Sequence, residues 1–149
     1  MYERNKKKER TYSLVDRMRE CELNGKTELD ISHMSIADLP FEIQILQDLR
    51  IIDACKNMLI SVPSLSTFKS LVRLDISRNC IVSLDDVKWS HFPLLAHLDV
   101  SRNQLSHLPE DISKLVSLNY LICNRNNLVC VYVKYELFIR LNFLILLSL

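Results

Sequence analysis

Residues 71–84 read LVRLDISRNCIVSL, and residues 94–109 read LLAHLDVSRNQLSHLP. The shared phrase LD-(I/V)-SRN returns after 24 residues, Asp75 to Asp99. The template behind it, L-x-x-L-x-L-x-x-N-x-L-x-x-L, can be slid along the whole chain. It fits Leu71, Leu74, Ile76, Asn79, Ile81 and Leu84, then Leu95, Leu98, Val100, Asn103, Leu105 and Leu108. Upstream it fits Leu49, Ile52, Ala54, Asn57, Leu59 and Val62. Downstream it fits Leu118, Leu121, Cys123, Asn126, Leu128 and Val131. A first copy holds Leu29, Ile31, Ile36 and Leu39, with Met34 in the Asn column. From Met34 the column steps to 57, 79, 103 and 126, intervals of 22 to 24 residues. Two further apolar columns keep the step: Ile43, Leu65, Trp89, Ile112, and Leu46, Phe68, Phe92, Leu115.

A fixed period of this size marks an array of stacked supersecondary units. The x-L-x-L-x alternation of period two predicts a short strand with its leucines inward. No single unit can bury those leucines, so neighbours must stack. Burial of each inward Leu or Ile contributes about 1.5–3 kcal/mol. The Asn amide can satisfy backbone groups of adjacent turns that would otherwise be buried and unpaired. By that argument Met34 leaves the first unit with a looser ladder. In the returning segments LPFEIQILQDL and LPEDISKLVSL, apolar residues three apart suit one helical or 3₁₀ turn, and Pro93 should end such a turn near Phe92.

Over roughly residues 26–131 the sequence resembles the leucine-rich repeat family, in the wording of its intracellular class of roughly 23 residues per repeat. That class includes Ras-pathway scaffolds, Scribble-like polarity proteins and the repeat domains of some ubiquitin ligases. The expected fold is an α/β solenoid. It is a horseshoe segment with a parallel sheet of about five strands on its concave face and short helical or irregular turns on its convex face.

Four segments follow: a basic tail (1–10), a capping helix (11–25), the repeats (26–131) and a degenerate or truncated final repeat (132–149). In the cap, Tyr12, Val15, Met18 and Leu23, with Leu14, form the apolar stripe, Thr11 or Ser13 is placed to start the helix, and Asn24-Gly25 to stop it. The tail, with Arg4, Lys6, Lys7, Lys8 and Arg10, reads as a solvated charge run, with nuclear import or a lipid surface as the functional alternative. In the last segment Leu144 follows Leu121 by 23 residues, as a continued array requires. Yet Leu149 stands where Asn belongs, and Val133, Ile139, Ile145 and Leu147 are apolar at outward positions. An uncapped edge of that kind is expected to self-associate.

The chain has 149 residues, 19 basic and 18 acidic, so net charge gives no drive towards nucleic acid. The single glycine, Gly25, rules out a glycine-rich phosphate loop. Five cysteines without a C-x-x-C, and no Asn-x-Ser/Thr acceptor, fit a reducing cytoplasmic setting, with the nucleus as second choice. No stretch is long and apolar enough to span a bilayer. His91, His97 and His107 fall on different parts of the turn, Asp85-Asp86 lie in a loop, and no nucleophile motif occurs. No catalytic residue, metal or cofactor is expected.

What remains is the strand surface. The position before the inward Leu carries Glu28, Ile51, Arg73, His97 and Tyr120. The position after it carries Asp30, Asp53, Asp75, Asp99 and Ile122. A basic column, His33, Lys56, Arg78, Arg102 and Arg125, precedes the Asn column. The Asp column has a generic reading as strand-end chemistry, so specificity is placed on the first column, centred on Arg73, His97 and Tyr120. The ladder residues are Asn57, Asn79, Asn103 and Asn126. The family resemblance implies a non-enzymatic scaffold or adaptor in signalling that binds a protein on its concave face. The rival reading is the regulatory or substrate-recognition portion of a larger enzyme, a ubiquitin ligase or a phosphatase.

Overall fold

A computed structural model describes residues 13–62, 65, 68–129 and, in backbone alone, 143–145. Helix α1 (Leu14–Leu23) leads into β1 (Glu28–Asp30), β2 (Ile51–Asp53), β3 (Arg73–Asp75), β4 (His97–Asp99), β5 (Tyr120–Ile122) and β6 (Phe143–Ile145). The strands make one sheet in sequence order, every pair parallel. Each strand is three residues long because only the x-L-x core of the template alternates. The central Leu29, Ile52, Leu74, Leu98 and Leu121 lie opposite one another and are buried. Behind them the chain returns through 3₁₀ turns at Phe41–Ile45, Trp89–His91 and Glu110–Lys114. The turn at Trp89 ends on Phe92, just before Pro93. One core runs the length of the stack, with Phe68, Trp89 and Phe92 filling its back.

The asparagines close the turns, but in one direction. Asn79 Nδ2 donates to its own turn at Ile76 O (3.0 Å) and to the turn before at Ala54 O (3.1 Å). Its Oδ1 accepts the Leu59 N–H, again in the turn before. Asn103 and Asn126 repeat this, serving Ile76 O with Ile81 N, and Val100 O with Leu105 N. Asn57 therefore serves the first turn, donating to Ile31 O (2.8 Å) and accepting from Met34 N and Ile36 N. The expectation of a looser first ladder is corrected by this geometry. The amide reaches backward, so the turn containing Met34 is completed from the turn that follows it.

At the amino end Ser13 caps α1. Its Oγ accepts the Asp16 N–H, and Asp16 accepts the Ser13 N–H in return. At the other end Gly25 sits at φ +56°, and its N–H bonds Glu22 O while the Lys26 N–H bonds Cys21 O. That paired closure needs a left-handed residue at Gly25. The face of α1 turned to the array differs from the expected stripe. Cys21 is buried and Leu14 and Met18 pack beside it, whereas Val15 and Leu23 are exposed. Spacings of four and three residues put 14, 18 and 21 on one line, and that line packs against the core behind β1. Tyr12, Thr11 and the basic tail lie outside the described residues, as do the side chains beyond Val129. The backbone of β6 places Leu144 opposite Leu121, the register that the 23-residue step requires.

Candidate interaction site on the sheet face

Parallel register converts the first strand position into a continuous row, Glu28, Ile51, Arg73, His97, Tyr120. Glu28, Arg73, His97 and Tyr120 are exposed and Ile51 is half-buried. Neighbours in such a row are about 4.8 Å apart, and two of them use the closeness. The rings of His97 and Tyr120 stack at 4.4 Å between centroids and 4° between planes. Arg73, His97, Asp99, Tyr120 and Ile122 edge a shallow hollow of about 130 Å³ over Leu74 and Leu98. A cation beside a paired aromatic platform is the kind of grouping that anchors protein interfaces.

The third position builds the row Asp30, Asp53, Asp75, Asp99, Ile122. Each Asp accepts a backbone N–H two residues on: Ser32 to Asp30, Cys55 to Asp53, Ser77 to Asp75, Ser101 to Asp99, all at 2.9–3.0 Å. The side chain thus takes over a donor freed where the strand ends. The electrostatics change along the row. At Asp30 partial burial is outweighed by the Ser32 hydrogen bonds and the charges of Arg17 and His33, which hold the carboxyl low. At Asp99 burial pushes the carboxyl up, against the Ser101 hydrogen bonds, and the charge of Asp75 adds to the rise.

Two arrangements escaped sequence reading. Asp53, Cys55 and Asp75 bring one possible metal ligand each within 4.8 Å. Burial first, then the hydrogen bond and charge of Asp53, push the Cys55 thiol up to about 12, so it keeps its proton. Both carboxylates are also engaged by backbone. Only Cys55, where the turns on either side carry Ser32 and Ser77, could have signalled the cluster. On the flank, His107 Nε2 meets Asp85 at 3.0 Å across one turn, and the Ser106 hydroxyl lies 3.1 Å from Nδ1. The loop acid and the histidine are separated by 22 residues, close to one period, which is the signal that could have joined them. The trio is exposed, and His91 and His97 belong to other faces, the back turn and β4. A larger hollow, about 370 Å³, lies between α1 and β1, but its rim is spent on the ion pairs Lys26–Glu20 and Arg17–Asp30. Among the described residues no helix is long and apolar enough to cross a membrane.

A sequence model of the family described as "Leucine rich repeat" matches residues 47–105 and 69–128, more than half of the chain. No curated protein matches it by sequence. Among solved structures, a leucine-rich repeat protein of Leptospira interrogans superposes with a TM-score of 0.71 at 24% identity, over 85% of this chain and 38% of its own. The functional domain of InlJ from Listeria monocytogenes, described as including a cysteine ladder, gives 0.59 at 30% identity, over 71% of this chain and 22% of its own. The repeat ectodomain of the Arabidopsis thaliana receptor kinase GASSHO1/SCHENGEN3, solved with Casparian strip integrity factor 2, gives 0.60 at 22% identity, over 73% and 14%. The chain therefore spans well under half the length of each of these proteins.

Proposed function

The chain belongs to the leucine-rich repeat family, and from that premise we propose a non-enzymatic scaffold or adaptor in intracellular signalling that holds a protein partner on the open face of its sheet. A fold of this kind is in general a protein-interaction module, and the finer reading is carried by one observation. Arg73, His97 and Tyr120 stand side by side on β3, β4 and β5 around a shallow hollow. Their neighbours in the Asp row are tied to backbone. Arg73 supplies a charge-assisted donor fork for a partner carboxylate. The stacked His97–Tyr120 pair supplies a rigid platform at low entropic cost. Asp53, Asp75 and Asp99 frame that centre with negative potential and set orientation more than affinity. Supporting an intracellular setting, none of the described cysteines, Cys21, Cys55, Cys80 and Cys123, forms a disulfide. A self-associating carboxyl edge remains part of the proposal, and a sizing column tests it directly.

The test is capture from source-cell extract with quantitative mass spectrometry, comparing the native chain with Arg73→Glu/His97→Glu/Tyr120→Ala, shown folded by circular dichroism. Partners depleted by the triple variant support the proposal. An identical partner list from both proteins overturns it.

A further inference from the structure

The hydrogen-bond ladder does not stop at the strands. His33, Lys56, Arg78 and Arg102 donate their N–H groups to Cys55, Ser77, Ser101 and Asn124 of the next turn, at 2.9–3.1 Å. Beyond them the chain alternates outward and inward for five residues. In the second turn Lys56, Met58 and Ile60 face out while Asn57 and Leu59 are buried. The third turn repeats this with Arg78, Cys80 and Val82, and the fourth with Arg102, Gln104 and Ser106. The flank of the solenoid therefore carries three parallel rows. The first is basic: Lys56, Arg78, Arg102 and Arg125, all exposed. Beside its first half, in the second and third turns, lies an apolar strip in which Met58, Ile60 and Val82 are each more than half exposed, and in the fourth turn Gln104 and Ser106 take its place.

The basic row is not what the backbone asks for. Lys56, Arg78, Arg102 and Arg125 all sit at φ +55°. That left-handed conformation costs a side-chain-bearing residue about 1–2 kcal/mol and suits Gly or Asn. The fold needs the conformation in every turn, yet it does not need a cation there. Among the described residues none of the four joins an ion pair. Lost water contact and then the charges of Arg125 and Arg78 hold Arg102 below its usual range. The row thus carries backbone strain and like-charge crowding in four successive turns, without a compensating ion pair among the described residues.

We propose that this flank is a second docking surface, for an acidic amphipathic segment of a partner protein whose carboxylates lie along Lys56–Arg78–Arg102–Arg125 and whose apolar side chains cover Met58, Ile60 and Val82. The four cations span about 14 Å, three strand spacings, a length matched by roughly ten residues of helix. The apolar strip alongside offers nothing to a phosphodiester. On the other side of the cations, Asp53, Asp75 and Asp99 repel any wide polyanion. A narrow segment, acidic on one edge and apolar on the other, satisfies both boundaries. The site is independent of the Arg73–His97–Tyr120 row.

The test selects random 16-residue peptides by phage display on the full chain. Selected peptides are then measured by fluorescence anisotropy on three variants. Lys56→Asn/Arg78→Asn/Arg102→Asn/Arg125→Asn removes charge while Asn accepts the left-handed backbone, so folding is kept. Met58→Ser/Ile60→Ser/Val82→Ser removes the strip, and Arg73→Glu/His97→Glu/Tyr120→Ala removes the sheet-face site. The expected result is enrichment of peptides combining acidic and apolar residues. Their affinity should fall tenfold or more with the first variant, severalfold with the second and less than twofold with the third. No enrichment, enrichment without acidic excess, or affinity kept by the first variant overturns the proposal. So does equal or tighter binding of a 16-nucleotide single strand or of phosphatidylserine vesicles.

Discussion

Arg73, His97 and Tyr120 share one face of the sheet with Asp75, Asp99 and Ile122, two residues further along the same strands. The two rows are equally spaced and differ in what their side chains do. In the Asp row every carboxylate from Asp30 to Asp99 holds a backbone N–H. In the first row, stacking of His97 on Tyr120 is the contact that shapes the surface. A residue column whose side chains are all spent on backbone, as the Asp row is, is therefore evidence for structure first. On the sheet face, the column that changes identity from turn to turn, Glu28, Ile51, Arg73, His97, Tyr120, is the one we propose for recognition.

Interior amides set the upper limit of what backbone satisfaction is worth. Asn79→Ala would leave Leu59 N in the core without its acceptor and take one of two amide donors from Ala54 O and from Ile76 O, and chemical denaturation should show a loss of about 2–3 kcal/mol. Met34→Asn, at the column's first place, should change stability by less than about 0.5 kcal/mol, because Asn57 already serves that turn. Next comes recognition. Arg73→Glu alone should weaken partner binding by about 2 kcal/mol or more, roughly thirtyfold, and leave stability nearly unchanged. Asp75→Ala should do the reverse, costing about 0.5–1.5 kcal/mol of stability with the Ser77 N–H unpaired, while binding moves little.

The ends of the Asp row sharpen the contrast through pH. Asp99 has a raised carboxyl, so its contribution to folding is full below the unfolded value near 3.8 and is lost as pH rises through the folded value. Asp99→Asn should therefore be stabilising near neutrality and nearly neutral in acid. Asp30 is lowered, so its contribution is present above 3.8 and is lost as pH falls through the folded value. Asp30→Asn should be destabilising near neutrality. Urea titrations of both variants at pH 3 and pH 7 read these signs. The smallest effect is chemical. With thiols pushed up to about 12, Cys55 and Cys123 should alkylate with iodoacetamide at pH 8 far more slowly than a free cysteine.

The columns of Leu, Asn and Asp disclosed the strands, their order and their register, because a period-locked pattern has one way to bury its leucines. The direction in which an amide reaches is not a periodic property. Nothing in the letters around Met34 says that Asn57 works backward. The inward line of α1 was misjudged for a related reason. Val15 and Leu23 are as apolar as Leu14 and Met18, and packing against β1 rather than hydropathy chose between them. The left-handed backbone under Lys56, Arg78, Arg102 and Arg125 stayed hidden because Lys and Arg are not the residues that announce it.

The account stands most directly on whether a partner lies over the first row. A photo-crosslinking amino acid placed at Ile51, on the sheet face, and separately at Ser90, on the back turn between Trp89 and His91, would report this in source-cell extract. The account predicts a partner adduct from Ile51 that Arg73→Glu abolishes, and none from Ser90. An adduct from Ser90 with none from Ile51 would place recognition on the convex side and contradict it.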